Sequence, residues 1–473
     1  MDEMLFFGED AFSMAPAQER ELAKALDIDY SMGTTDQTGF SALRKESLDS
    51  TLKIVEANEN SPAFWKAVKK GKATSAVEEF SVLNELGDAS SYSSGDLPEE
   101  YDEDLKRDFE QVKLVGAVGK VPYFAQANEV INGDLVAQVT RMKTIAMLRK
   151  LDVLSVFGDA TLLPTDPNGI IAQAIKRMKF PTQNVIDKQG KRMQLEDFNN
   201  AGKIIADNYG NSMNLKIWMG NDAYTDYVNQ LIASKTYFLN GGAVDSVYVQ
   251  ARNLKIGSGG GNIETDVFFR HRGETFLGAL HPKMNKAKTA FASMSDRAPS
   301  ELIAGTCSVS VDALVGSLLP AATYDYAVVP VNKYGAQKAF ELTSVVVAAD
   351  KKCTFTISDN GSPDGREAAK FDVYRKLSSD TSKQNYKYLT SFAAAATSKL
   401  DDGSSVPGTT TVLAIDWDFD QVLRVDQLGS MSRLPLATIS DAVRWLQKIY
   451  FTPKVFNGGK IVVFKNVGVT ANS

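Results

Sequence analysis

The sequence predicts an α+β chain in which an all-β unit interrupts a mixed body. Three observations carry that expectation. Leu135, Val139, Met142, Ala146, Met147, Leu151 and Leu154 form a stripe at helical spacing through residues 134–157. A strand-like run, Leu215–Met219, leads directly into a helical one, Asp222–Ala233. Between residues 302 and 416 the composition changes: the block holds neither Met nor Trp, although the chain has 13 and 4, and both cysteines fall inside it.

Residues 1–37 alternate short apolar clusters with acidic and small residues, which predicts an extended arm with some helix at Pro16–Leu26, where Pro16 suits a first turn. Two runs rich in Val, Phe and Leu, Thr74–Leu83 and Gln111–Val121, predict strands flanking Gly87–Glu110. That intervening segment carries Glu99, Glu100, Asp102, Glu103 and Asp104, so the expectation is a long β-hairpin with a polar, acidic distal part. For the helix over 134–157, Asp134 is a natural cap and Gly158 a left-handed stop, giving a rod about 36 Å long. Arg141, Lys143, Arg149 and Lys150 are expected on its remaining surface. A further helix is predicted at Leu195–Asn208.

The block 302–416 reads as successive short strands: Cys307–Val311, Tyr324–Val331, Ala339–Val347, Thr354–Ile357, Phe371–Lys376, Tyr386–Ser391 and Thr410–Ala414. Turn signals such as Asp359-Asn-Gly and Asp401-Asp-Gly separate them. About seven short strands at this spacing predict an immunoglobulin-like sandwich. The run Tyr324–Gly335 is similar to the central strands of fibronectin type III modules, and the missing Cys–Trp–Cys core favours that variant.

At 473 residues the chain suits two or three units of ordinary size. Its acidic start lacks the basic-then-apolar order of a secretory signal, and no run of 18 apolar residues occurs, so neither export nor a membrane span is expected. A formal charge of −6 argues against a surface built throughout for nucleic acid. Two cysteines, Cys307 and Cys353, fit a reducing compartment and free buried thiols.

Catalytic signatures are missing. His271 and His281 are the sole histidines and neither sits in a motif. The glycine run 257–261 precedes a strand-like segment rather than a helix, which predicts a hairpin tip and not a phosphate cradle. The acidic cluster at 99–104 lacks the order of a calcium loop. Lys66, Lys69, Lys70 and Lys72 form too short a basic stretch for nucleic-acid binding, but one able to meet a neighbour's acidic loop, with Trp65 as a packing anchor. No enzyme, cofactor or metal site is therefore expected. The rival readings are a carbohydrate-active enzyme carrying a fibronectin-like module and a tail or baseplate adhesin.

Several separated segments carry a family likeness. They are 38–52 (TGFSALRKESLDSTL), Phe64-Trp65-Lys66, 75–83 (SAVEEFSVL), 157–161 (FGDAT), 434–445 (LPLATISDAVRW), Pro453-Lys454 and 460–467 (KIVVFKNV). Together they resemble the major capsid proteins of large contractile-tailed bacteriophages, which share the Hong Kong 97-type fold. The resemblance covers most of the chain apart from 302–416. It implies an N-terminal arm and lead-in at 1–70, an extended loop at 71–121, a peripheral domain at 122–190 with its spine helix at 134–157, and an axial domain at 191–301. The inserted sandwich would fill 302–416, and 417–473 would return through both capsid domains. It further implies hexamers and pentamers of this chain closing an icosahedral head around DNA in the virion, assembled in the host cytoplasm. Portal, scaffold and decoration proteins would be partners. Candidate inter-subunit contacts are Trp65, Lys66, Lys69, Lys70, Glu99, Glu100, Asp102, Glu103 and Asp104.

Overall fold

The computed structural model describes residues 62–85, 89–94, 97, 104–127, 134–233, 253–256, 259–269, 282–437 and 441–469. The expected arm over 1–37, segment 38–52, the acidic residues Glu99, Glu100, Asp102 and Glu103, the glycine-run residues Gly257 and Ser258, and both histidines lie outside the described residues.

A 23-residue helix, Leu135–Phe157, is the longest in the described chain, and the Asp134 carboxylate caps it by accepting from Val136 N at 2.8 Å. Its C-terminal half is buried nearly all round, from Ile145 through Leu151 and Leu154 to Val156. Lys150, expected on the surface, is therefore buried, and its Nζ lies 3.8 Å from Asp166 Oδ2. Gly158 ends the helix, but in extended conformation (φ −56°, ψ 142°) rather than the left-handed one expected. Close approach is what selects glycine there: a Cβ would stand 2.4 Å from the Pro167 carbonyl oxygen.

Two sheets pack around this helix. The first is built on the 14-residue strand Ala442–Val455. One edge of that strand pairs with Lys113–Pro122, and the other takes Ser432–Pro435 and then Leu423–Gln427. Lys70–Lys72 adds in parallel at the far side. Along Ala442–Val455, Trp445, Ile449 and Phe451 turn inward while Arg444, Leu446, Lys448 and Tyr450 turn outward, the period-2 alternation of a half-buried strand. The second sheet has six strands, in the order Val185–Asp187, Ile461–Val467, Thr410–Asp416, Leu215–Met219, Gly259–Thr265 and Asn253–Ile256. Both its faces are covered. Leu413, Ile415 and Trp218 meet Leu151, Leu154 and Phe451 in one core, and Val412, Ala414, Ile217 and Phe464 meet Phe198, Ile205 and Tyr227 of two helices, Leu195–Asp207 and Asn221–Ala233, in another. Glycine 259 lies on a strand paired with Asn253–Ile256, so the glycine run belongs to a hairpin as expected.

A two-sheet unit lies between these parts of the chain. Its five-stranded sheet contains Ala322–Asn332, Gly335–Ala336, Phe340–Val347, Lys370–Leu377 and Lys387–Ala393; the facing sheet contains Cys307–Ala313, Lys351–Ile357 and Leu400–Asp401. Tyr326, Val328, Val347, Phe355 and Val373 fill the space between them, with Cys307 and Cys353 buried as free thiols. The strand Thr410–Asp416 does not belong to this unit. It pairs with Leu215–Met219 and Ile461–Val467, so the unit closes before residue 410 and not at 416. Nor does the unit stand free: the second face of its five-stranded sheet (Val329, Val331, Tyr374 and Tyr388) packs on Leu163 of the body and on Phe291 of the segment that leads into the unit.

The hairpin also differs from expectation. Val77–Glu85 pairs with Asp104–Gln111, a strand that falls within the segment read as a loop. The run after it, Lys113–Pro122, crosses into the first sheet instead of returning along Thr74–Leu83. Segment 71–121 thus holds the end of the body strand Lys70–Lys72, a hairpin closed by Gln111, and the body strand Lys113–Pro122.

Candidate functional site

The hairpin is clamped at its base on one face and, among the described residues, bare on the other. At the base, Lys454 of the first sheet points its ammonium at Glu78 (Nζ to Oε2, 2.8 Å) and at Asp426 (Oδ2, 2.6 Å). Only 3% of the Lys454 side chain and none of the Asp426 side chain is exposed. The free Glu78 oxygen accepts from the amides of Thr74 and Ser75. Burial works against this carboxylate, but Lys454 and those amides outweigh it and hold its pKa down at about 2. On the return strand, Arg177 donates Nε to Asp108 Oδ2 and Nη2 to Glu110 Oε1, both at 2.6 Å, and its guanidinium stacks 5.0 Å from the Phe80 ring. Burial again opposes the Asp108 carboxylate, and Arg177 overrides it, lowering its pKa. The planar fork of one Arg thus grips two carboxylates of one strand, a geometry lysine cannot copy. Phe80 meets Phe456 edge-on, closing the apolar side of the base.

On the opposite face of the hairpin the apolar side chains find no cover among the described residues. Val77, Leu83, Leu105 and Phe109 are all exposed, Leu105 by 67% and Phe109 by 54%. A second apolar row, with Leu434, Val118 and Leu114 exposed and Leu446 half-buried, crosses the outward face of the first sheet. Leu434, Leu446 and Val118 stand in register on three neighbouring strands, with Leu114 beside Tyr450 one step along and Lys120, Arg444 and Lys448 at the margin. Rigidly held yet exposed apolar rows of this kind mark surfaces that a partner covers.

The residues nominated from sequence divide into three groups. Trp65 is a core residue, meeting Phe451 edge-on at 5.4 Å, and Lys70 lies over its ring while donating to the Trp65 and Val68 carbonyls. Burial lowers the Lys70 pKa from 10.5 to about 8, against the pull of Asp152. Lys69 pairs with Asp420 of its own chain at 3.1 Å, an exposed contact. Lys66 and Asp104 are exposed. Glu99, Glu100, Asp102 and Glu103 lie outside the described residues. The structure therefore brings Trp65 and Lys70 together inside the subunit, and leaves Lys66 and Asp104 on its surface.

Sequence reasoning missed the clamp on the hairpin, because Glu78, Lys454 and Arg177 are scattered over the chain with no spacing to betray them. Pro453-Lys454 drew notice only through its likeness to a family. Among the described residues, no group of three or more His, Cys, Asp or Glu could hold a metal ion, and no helix is long and apolar enough to cross a membrane.

No protein-family model matches the sequence, and no curated protein matches it. Solved structures do show similarity. The capsid of cyanophage P-SCSP1u aligns over 93% of this chain and 96% of its own at 9% identity and a TM-score of 0.44. A structure titled Microbacterium phage Oxtober96 aligns over 91% and 98% at 12% identity and a TM-score of 0.43. The holo-SrpI encapsulin complex of Synechococcus elongatus PCC 7942 aligns over 89% and 94% at 8% identity and a TM-score of 0.41.

Proposed function

We propose that the chain is a shell-forming structural subunit: the major capsid protein of a large contractile-tailed phage, with the Hong Kong 97-type fold and an inserted immunoglobulin- or fibronectin-like unit. Hexamers and pentamers of it would enclose the DNA genome, with portal, scaffold and decoration proteins as partners. The observation that carries this reading is the hairpin. Arg177 and Lys454 hold its base against the body, while Leu83, Leu105 and Phe109 project without cover from the described residues. A lone globular protein gains nothing from a braced extension with an apolar surface; a shared interface uses it. The apolar row Leu434–Leu446–Val118, rimmed by cations, offers a second contact for neighbouring copies or shell partners. The family likeness of the segments at both ends of the sequence supports the same assignment.

The test is a paired substitution on the hairpin. Replacing Leu105 and Phe109 with Glu should leave the far-ultraviolet circular dichroism spectrum and the thermal midpoint of the unassembled chain nearly unchanged, because more than half of each residue is already exposed. Shells and capsomers should be lost in sedimentation and electron microscopy. Normal particles built from the double variant would remove the ground for the proposal.

A further inference from the structure

Two buried carboxyl groups meet where the chain enters the body, and neither has a part in the assembly surface. Asp152 on the long helix is 2% exposed, and Asp266, after the strand Gly259–Thr265, is 1% exposed. They are hydrogen-bonded to each other. Both also accept from the short helix Ala63–Ala67: Trp65 N donates to Asp152 Oδ1 at 2.6 Å, and Phe64 N to Asp266 Oδ2 at 2.8 Å. Asp266 Oδ1 accepts in turn from Phe268 N at 2.8 Å.

The donor count fixes where a proton must sit. Both oxygens of Asp266 already accept from backbone N–H groups, so this group serves as the carboxylate. Asp152 uses one oxygen as an acceptor, which leaves the other to carry the proton and donate across the pair. Two ionised carboxylates in hydrogen-bond contact without water would repel strongly. Burial first, and then the Asp266 charge, push Asp152 well above the usual carboxylate range; burial likewise raises Asp266, opposed by its backbone donors and by Asp152. The other charged group facing the pair from the entering segment is Lys70. On the far side Arg149 stacks over the Phe268 ring at 5.4 Å.

We infer that Asp152 and Asp266 form a proton-sharing latch that ties the entering segment, residues 63–68, to the long helix and to the 266–269 turn, and that loss of the shared proton releases the segment. What the latch holds is substantial. Phe64 is wedged edge-on between Trp218 (5.0 Å) and Trp417 (6.0 Å), and Trp65 abuts Phe451.

The direction follows from linkage. A folded-state pKa raised above the unfolded one means that the folded chain holds a proton the unfolded chain has lost. Stability is full below the ordinary Asp range, near about 3.9, and declines as pH rises through the raised titration of the pair. Lys70 works with the opposite sign. Its pKa is lowered to about 8, so between about 8 and 10.5 the folded chain binds fewer protons than the unfolded one and gains stability with pH. Alkaline loosening of residues 63–68 therefore cannot come from Lys70.

Hydrogen exchange of the full chain, followed by mass spectrometry on the peptide covering 62–69, tests the latch. After correction for intrinsic exchange, protection of this peptide should fall by about tenfold for each pH unit between the ordinary Asp range and the raised titration of the pair and level off above it, while peptides from Ile461–Val467 hold steady. Asp152→Asn supplies a permanent donor and acceptor in place of the protonated acid, so its protection should be independent of pH. Asp266→Asn loses an acceptor and should be weakly protected throughout. Wild-type protection that is flat with pH, or an unchanged decline in Asp152→Asn, would overturn the inference. Should that variant fail to fold, infrared spectra of wild type labelled with carboxyl-13C aspartate decide: a protonated-carboxyl band that persists above the ordinary Asp range and vanishes on further alkalinisation is expected, and its absence refutes the shared proton.

Discussion

Replacing Lys454 with Met should detach the base of the hairpin, and the size of the effect can be worked from its surroundings. The ammonium is buried and bridges two buried carboxylates at 2.8 and 2.6 Å. Removing one partner of such a cluster leaves buried charge uncompensated and costs about 3–5 kcal/mol. Here the lower end applies, because Asp426 keeps its two hydrogen bonds from Arg424 and Glu78 keeps its backbone donors. A loss of about 3 kcal/mol corresponds to roughly a hundredfold in the folding equilibrium. Met nearly matches the Lys stem in volume, so little of that loss would come from a cavity. Urea unfolding of the unassembled chain measures it directly. Adding Glu78→Gln to Lys454→Met should recover about 1 kcal/mol or more by removing the stranded charge. The same pair sets an acid limb. With its folded pKa depressed to about 2, Glu78 contributes stability that is complete above the ordinary Glu range and is lost as pH falls from about 4.5 towards 2. Glu78→Gln should flatten that limb. A Lys454→Met penalty below about 1 kcal/mol, with the acid limb unchanged in Glu78→Gln, would refute the clamp.

Three further outcomes are expected. Trp65→Ala should cost about 3–5 kcal/mol in urea unfolding, since a nearly buried indole leaves a cavity beside Phe451 and Phe64; a loss under about 1 kcal/mol would mean that this segment is not docked. Gly119→Ala should destabilise the first sheet, because its Cβ would stand 2.3 Å from the Trp445 ring; differential scanning calorimetry should show a lowered midpoint, and an unchanged one would count against that packing. Residues 282–409 expressed alone should give a cooperative β-type unfolding transition, whereas 302–416 should not. The shorter piece bares Val329, Val331 and Tyr374 and carries the strand Thr410–Asp416 without its sheet. Equal cooperativity in the two would contradict the docking of the two-sheet unit.

What the sequence revealed depended on how local the cause was. The helix over 135–157 was legible because its stripe and its Asp134 cap lie within a few residues of each other. The strand Thr410–Asp416 was legible as a strand, but its sheet was not: composition assigns no partner, and its neighbours come from residues 215–219 and 461–467. The strand Asp104–Gln111 escaped notice because its residues are mostly exposed, so no apolar alternation marks it. Its charges instead serve Arg177 at one face. Lys150 was misplaced because a stripe predicts one buried face, and the second half of the helix is enclosed on all sides. Of the candidate contacts, Trp65 was legible as an anchor, whereas Lys70 read as a surface charge because nothing local shows that it folds back over the Trp65 ring and onto the Trp65 and Val68 carbonyls.

The central claim is that this chain builds a shell, and cryo-electron microscopy of the purified protein at high concentration, alongside particles from its native source, tests it most directly. The account predicts closed icosahedral particles in which density for the hairpin Val77–Gln111 rests on a neighbouring copy and the two-sheet unit faces outward. A chain that stays strictly monomeric by light scattering, with no such density in native particles, would contradict it.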